Sequence, residues 1–229
     1  MLYISLWIGL TVIIGALISM TARWLGPQIL VGAFSGSLII AILLAPKLGF
    51  IPGFEDYSLS ASVFIFSATF IFTDVLAEVY GKRAARNAVL SGILLYPLLI
   101  LSTKFAIEWS PHPVWEEQQS SFSNVMGMGI RTTIASFCGF CTSQLHDVWA
   151  FHYWKEKTGD KHLWFRNNAS TIVSQFIATV VFYSIAFYGI FPLVNIIAFT
   201  FLVKIVIAII DTPVVYFVVG FIRKGEQKA

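Results

Sequence analysis

Five ionisable side chains interrupt otherwise apolar runs of this 229-residue chain: Asp74, Glu78, Asp147, Lys204 and Asp211. Amides and hydroxyls accompany them, with Gln144 ahead of Asp147 and with Asn167, Asn168, Ser170, Thr171, Ser174 and Gln175 in a later run. An ionised carboxylate only accepts hydrogen bonds, whereas Asn and Gln both donate and accept. Such a set can hold a cation, a proton, or a flat heterocycle whose guanine-like N–H edge meets a carboxylate in bidentate fashion. Asp74 and Glu78 are four residues apart and Gln144 and Asp147 three apart, so each pair shares a face of a helix.

Plainer roles compete at each position. Glu78 has Lys82 at i+4 close to a helix boundary, and an ordinary surface ion pair accounts for it as well as ligand contact does. Asp74 could pair with a basic residue of another helix. Lys204 and Asp211 share a face, but a rise of about 10 Å separates them, which marks them as groups for gating or charge balance elsewhere. His146 and His152 read as interface residues and His112 as a loop residue. Cys138 and Cys141 have C-x-x-C spacing without a nearby His or second Cys pair, so they read as small packing residues. Neither a metal site nor a cofactor is expected.

The elements that must position these groups follow from composition. Hydrophobic residues make up 57% of the chain and charged ones 12%, with a mean hydropathy of +0.79. Soluble domains carry about 25% charged residues, so an ordinary water-soluble fold is excluded. The net charge of +3 is too small and too dispersed to indicate a nucleic-acid partner. Apolar runs of spanning length cover about 2–22, 28–45, 60–79, 87–107, 129–154, 169–188 and 193–222. The second is short, which leaves six or seven spans. The expected fold is an all-α polytopic membrane protein: a six-helix core over 27–222, an additional N-terminal helix over 1–26, and a tail over 223–229.

Most Lys and Arg residues fall in alternate connections: Arg23; Lys82, Arg83 and Arg86; Lys155, Lys157, Lys161 and Arg166; and Arg223, Lys224 and Lys228. Positive charge marks the cytoplasmic side, so these connections and the C-terminus are placed inside. Asp74, Asp147 and Ser174 then each lie about 12 Å inward of a basic boundary residue, at a common depth on three helices. The longest polar interruption, 109–118, carries two prolines and two tryptophans and is placed at the outer surface.

Thr73-Asp74-Val75-Leu76-Ala77-Glu78-Val79-Tyr80-Gly81-Lys82-Arg83 resembles the signature of the queuosine precursor transporter family, also called the vitamin uptake transporter family. Ser143-Gln144-Leu145-His146-Asp147, Trp164 through Thr171 followed by Ser174-Gln175, and Lys204 through Asp211-Thr212-Pro213 are similar to further motifs of that family. The resemblance covers about residues 40–222. Where the family often has Asp followed by Thr after the Ser-Gln pair, this chain has Ala178-Thr179. The resemblance implies a transporter of the inner (cytoplasmic) membrane that imports 7-cyano-7-deazaguanine and 7-aminomethyl-7-deazaguanine for queuosine salvage in tRNA. It implies substrate contacts at Asp74, Glu78, Gln144, Asp147, Asn168, Ser174 and Gln175, with Lys204 and Asp211 in gating or charge balance. The expected partners are the 7-deazaguanine substrate and the lipid bilayer, and small-residue interfaces are compatible with a homodimer.

Two other classes remain open on the residues alone. The chain could be a substrate-binding subunit that needs a separate energising complex, or a carrier of another purine or vitamin-like heterocycle. A membrane enzyme using the carboxylates for acid–base chemistry lacks support, because no nucleophile with an adjacent base and no His-rich metal motif is present.

Overall fold

A computed structural model describes the backbone of residues 2–158 and 163–226, and the side chains within it except at 67, 82, 144–145, 147–152, 154–156, 158, 163–171 and 225–226. Within those residues the architecture is helical apart from one hairpin. Helix α1 (Leu2–Leu25) and helix α2 (Gln28–Leu44) lead into strand β1 (Leu48–Ile51) and strand β2 (Phe54–Ser60). Helix α3 (Ser62–Val75) continues as a π-helical turn (Leu76–Tyr80), followed by α4 (Lys82–Glu108) and a 3₁₀ turn (Pro113–Trp115). Three long helices complete the chain: α5 (Glu116–Thr158), α6 (Leu163–Phe187) and α7 (Leu193–Glu226).

Four described helical segments are long and apolar enough to cross a membrane: Leu2–Leu25, Ser62–Tyr80, Arg83–Glu108 and Leu193–Lys224. Gln28–Leu44 and Ile172–Phe187 are shorter apolar segments. The side chains they turn outward are apolar. On α1, Leu6, Leu10, Ile13, Ile14 and Leu17 are exposed, whereas Thr11, Val12, Gly15, Ser19 and Ala22 face inward. Small residues inside and large apolar ones outside suit a helix in lipid, where close backbone approach rather than hydrophobic burial drives packing. An apolar surface of this extent would be a liability in water.

The main core joins α1, α2, α3, α4 and α7 around Leu30, Phe34, Ile71, Phe72, Val75, Leu76, Val218 and Ile222. A second cluster on α5, α6 and α7 centres on Tyr183, Phe187 and Ile196. Helices α5 and α6 approach so closely at Gly139 that a Cβ there would lie 3.0 Å from the Ala178 carbonyl oxygen. The neighbouring Cys138 and Cys141 are free thiols and half-buried, as the packing role expects. Gly81 separates the π-helical turn from α4 with φ +87°, a conformation that a side chain would strain.

The hairpin was not legible as strand, because its residues read as an outer connection. Pro52-Gly53 closes it, with Gly53 at φ +89°. The Gly53 N–H donates to the Glu55 carboxylate at 2.8 Å, and this bond first, then the residue's own N–H, holds the Glu55 carboxyl below its usual range. The hairpin's base is tied into the bundle. Ser60 donates through its hydroxyl to the Ala45 carbonyl at 2.9 Å and through its N–H to the Tyr183 hydroxyl at 3.2 Å. Prolines near Trp109 do break the helix, but α5 already begins at Glu116 within the expected outer segment.

Candidate functional site

Six helices line a cavity of about 330 Å³. On α3, Phe66, Thr69, Phe70 and Thr73 face it, and their spacing of three and four residues defines one side of that helix. On α5 the equivalent side presents Ser136, Gly139, Phe140 and Ser143. Helix α6 contributes Ser174, Gln175, Ala178 and Phe182, and α7 contributes Thr200 and Lys204. Aliphatic residues of α2 and Tyr96 of α4 close the remaining wall. The volume lies at the lower end of the about 300–1,000 Å³ typical of small-molecule sites.

Many of the hydroxyls facing this space are turned back onto their own helices. Thr73 bonds the Thr69 carbonyl at 3.0 Å, and Ser143 bonds the Phe140 carbonyl at 2.9 Å. Such bonds satisfy the hydroxyl donor without exposing an unpaired group to an apolar wall. Lys204 is the charged residue among the described lining. Its Nζ donates to Thr179 Oγ1 at 3.0 Å and sits 5.6 Å from the centre of the Phe66 ring. An ammonium has three donors, so this geometry leaves further N–H directions for an acceptor in the cavity. Ser174 Oγ lies 3.0 Å from His146 Nδ1, which joins α5 to α6 beside the cavity.

Of the residues selected from sequence, Ser174, Gln175 and Lys204 line this cavity. Asp74, Glu78 and Asp211 are not part of its lining and belong to the seam between α3 and α7. Asp74 is one residue beyond Thr73, a rotation of about 100° that turns it off the lining face. Glu78 is exposed and lies 3.4 Å from Arg223 Nη2, which also donates to the Glu78 backbone carbonyl at 2.6 Å. Arg223 on α7 is thus a basic partner of Glu78, while Lys82 lies outside the described side chains. Asp211 is buried and stands within electrostatic reach of Asp74. Gln144, Asp147 and Asn168 lie outside the described side chains.

Three polar features escaped the sequence. Tyr183 is fully buried and receives hydrogen bonds from the Ser60 N–H and from Thr200 Oγ1 at 3.0 Å, linking the hairpin, α6 and α7. Thr179 partners Lys204. Arg131 donates from Nε and Nη2 to the carbonyls of Ile185 and Tyr188 at 2.7 and 2.8 Å, at the end of α6 where carbonyls lack helical partners. A cation at a helix C-terminus is a recognisable device, but only when the distant partner helix is known.

A family profile described as "Putative vitamin uptake transporter" matches residues 60–218. A Bacillus subtilis protein named "Probable queuosine precursor transporter" is 29% identical over 181 residues, which are 76% of this chain and 79% of that protein. A Haemophilus influenzae protein of the same name is 27% identical over 139 residues, 58% of this chain and 55% of that protein. No solved structure matches the chain. The matched segment runs from the base of the hairpin into α7 and contains the cavity-facing polar residues of α3, α5, α6 and α7. With its apolar helices and this match over most of its length, the chain is a multi-pass membrane protein that belongs to the vitamin uptake transporter family.

Proposed function

We propose that this protein imports queuosine precursors across the cytoplasmic membrane, taking 7-deazaguanine bases from outside for tRNA queuosine salvage. The observation that carries this reading is the interhelical cavity, in which Lys204, Gln175 and Ser174 stand among aromatic rings. The names of the two relatives support the same substrate class. A deazaguanine offers a planar ring for Phe66, Phe70 and Phe140, a carbonyl for Lys204, and an amide-like edge for Gln175. Asp147, Gln144 and Asn168 retain their sequence-based place as partners of the base's N–H edge.

The proposed topology has seven spans, with the N-terminus outside and the C-terminus in the cytoplasm. Residues 27–222 form the transporter core and 1–26 an added helix, leaving 223–229 at the cytoplasmic end. Transport proceeds by alternating access, because a ligand enclosed between helices must be opened to each side in turn. Purified protein in liposomes should take up labelled 7-cyano-7-deazaguanine, and unlabelled base trapped inside should accelerate that uptake. An inert vesicle with correctly inserted protein would contradict the proposal. Uptake that appears only with an added ATPase module would instead identify a binding subunit.

A further inference from the structure

The buried stripe of α7 runs through Val203, Ile207, Asp211, Val218 and Ile222. One carboxyl thus occupies a position where the helix otherwise presents aliphatic side chains. Asp211 is 4% exposed, and neither carboxyl oxygen has a hydrogen-bond partner among the described residues. An ionised carboxylate left this way pays desolvation with no local bond to offset it. Asp74 of α3, which stands within electrostatic reach of Asp211, is exposed. We propose that Asp211 and Asp74 form a proton-carrying site, in which Asp211 holds the transported proton and Asp74 exchanges it with water.

Among the described residues, several charged and titratable groups around this pair are engaged elsewhere. On α7, Lys204 bonds Thr179 in the cavity and Arg223 bonds Glu78 of the π-helical turn. Tyr80 of that turn donates to the Ala22 carbonyl, and Arg23 of α1 stacks over Trp24 and Phe221. Tyr3 of α1 packs against Trp7 near the other end of that helix. From β2, Glu55 and Asp56 lie at the hairpin and Tyr57 stacks on Phe199, about 18 Å along α7 from Asp211. Tyr183 of α6 is held by Ser60 and Thr200. Thr73 and Thr212, the adjacent hydroxyls, donate to their own helices, and no group of three His, Cys, Asp or Glu side chains that could hold a metal ion occurs among the described residues.

Proton binding forms the neutral acid of Asp211 and its release restores the carboxylate, so one proton crosses for each cycle of the site. Lys204 lies two turns away on the same helix, about 10 Å along the axis, and faces the cavity. Ligand contact and protonation therefore bias one rigid element, which is the requirement for coupling between them. The inference rests on the transport reading but does not depend on which base is carried.

Infrared spectra of substrate-free protein in nanodiscs test the carboxyl directly. At neutral pH the wild type should show a protonated-carboxyl C=O band that Asp211→Asn loses and Asp211→Glu restores at a shifted frequency, with melting confirming that the variants fold. Absence of the band in wild type, or its full retention in Asp211→Asn, would overturn the proposal. In proteoliposomes, an inward proton gradient should drive wild-type accumulation of the base above the external concentration. Asp211→Asn should reach only equal concentrations on the two sides while retaining counterflow. Gradient-driven accumulation undiminished in Asp211→Asn, or driven in wild type by sodium alone, would equally overturn it. Failure of every deazaguanine in counterflow would sink the substrate assignment, and the infrared band would still decide the carboxyl's role.

Discussion

At the residue scale, the proposed function makes Lys204, the charged side chain among the described cavity lining, the group that selects what the cavity accepts. Its ammonium spends one donor on Thr179 and can offer another to a carbonyl or nitrile. A hydrogen bond to a charged group contributes about 1.5–3 kcal/mol, so Lys204→Met should raise the half-saturation concentration for 7-cyano-7-deazaguanine roughly 10- to 100-fold. Concentration-dependent uptake measures this, and an unchanged value would remove Lys204 from the site. The aminomethyl base carries its own cation, which the same lysine repels, so Lys204→Met should affect it less. Ala178 stands on the cavity wall next to Thr179. Ala178→Asp would place a carboxylate beside the lysine and should shift preference toward the aminomethyl base in a competition assay; an unaltered ratio would count against a charge-based choice.

At the scale of elements, the seams are held by a few polar bonds that ordinary periodicity does not reveal. Tyr183→Phe leaves the Ser60 N–H and Thr200 hydroxyl without their acceptor in a buried place. It should destabilise the protein by about 1–3 kcal/mol, read as an earlier thermal transition in detergent. The hairpin has its own acid response. Because Glu55 is held below its usual range, the contribution of its bond is present above the unfolded value and is lost as pH falls through the lowered folded value. Amide exchange at Gly53 should therefore accelerate in acid, and Glu55→Gln should flatten that dependence. Helix existence was legible from the apolar runs, because lipid selects long uncharged segments whatever their neighbours. The hairpin was not, since Leu48–Ser60 has no strict alternation and takes its order partly from Tyr183, more than a hundred residues away.

At the scale of the molecule, the site divides into a cavity and a separate carboxyl seam. Sequence depth alone placed Asp74 with Ser174 in one polar layer, but depth does not fix rotation about a helix. One residue's turn separates Thr73, in the cavity, from Asp74, at α7. Ser174, Gln175 and Lys204 were legible because each is a polar residue where polarity is costly; Thr179 and Thr200 were not, because hydroxyls are common in spans and satisfy themselves on their own helix. Helix α1 adds no lining residue, yet Val12 and Ala22 belong to the main core. Removing residues 1–26 should lower the thermal transition while leaving substrate selectivity intact, a combination that stability and competition measurements would separate.

The most direct test of transport uses a host that cannot synthesise queuosine precursors, supplied with one deazaguanine base at a time, with queuosine measured in its tRNA. Expression of this protein should restore queuosine from external 7-cyano-7-deazaguanine, and Lys204→Met should restore markedly less at limiting base. Wild-type protein present in the membrane with no queuosine formed from either base would contradict the account.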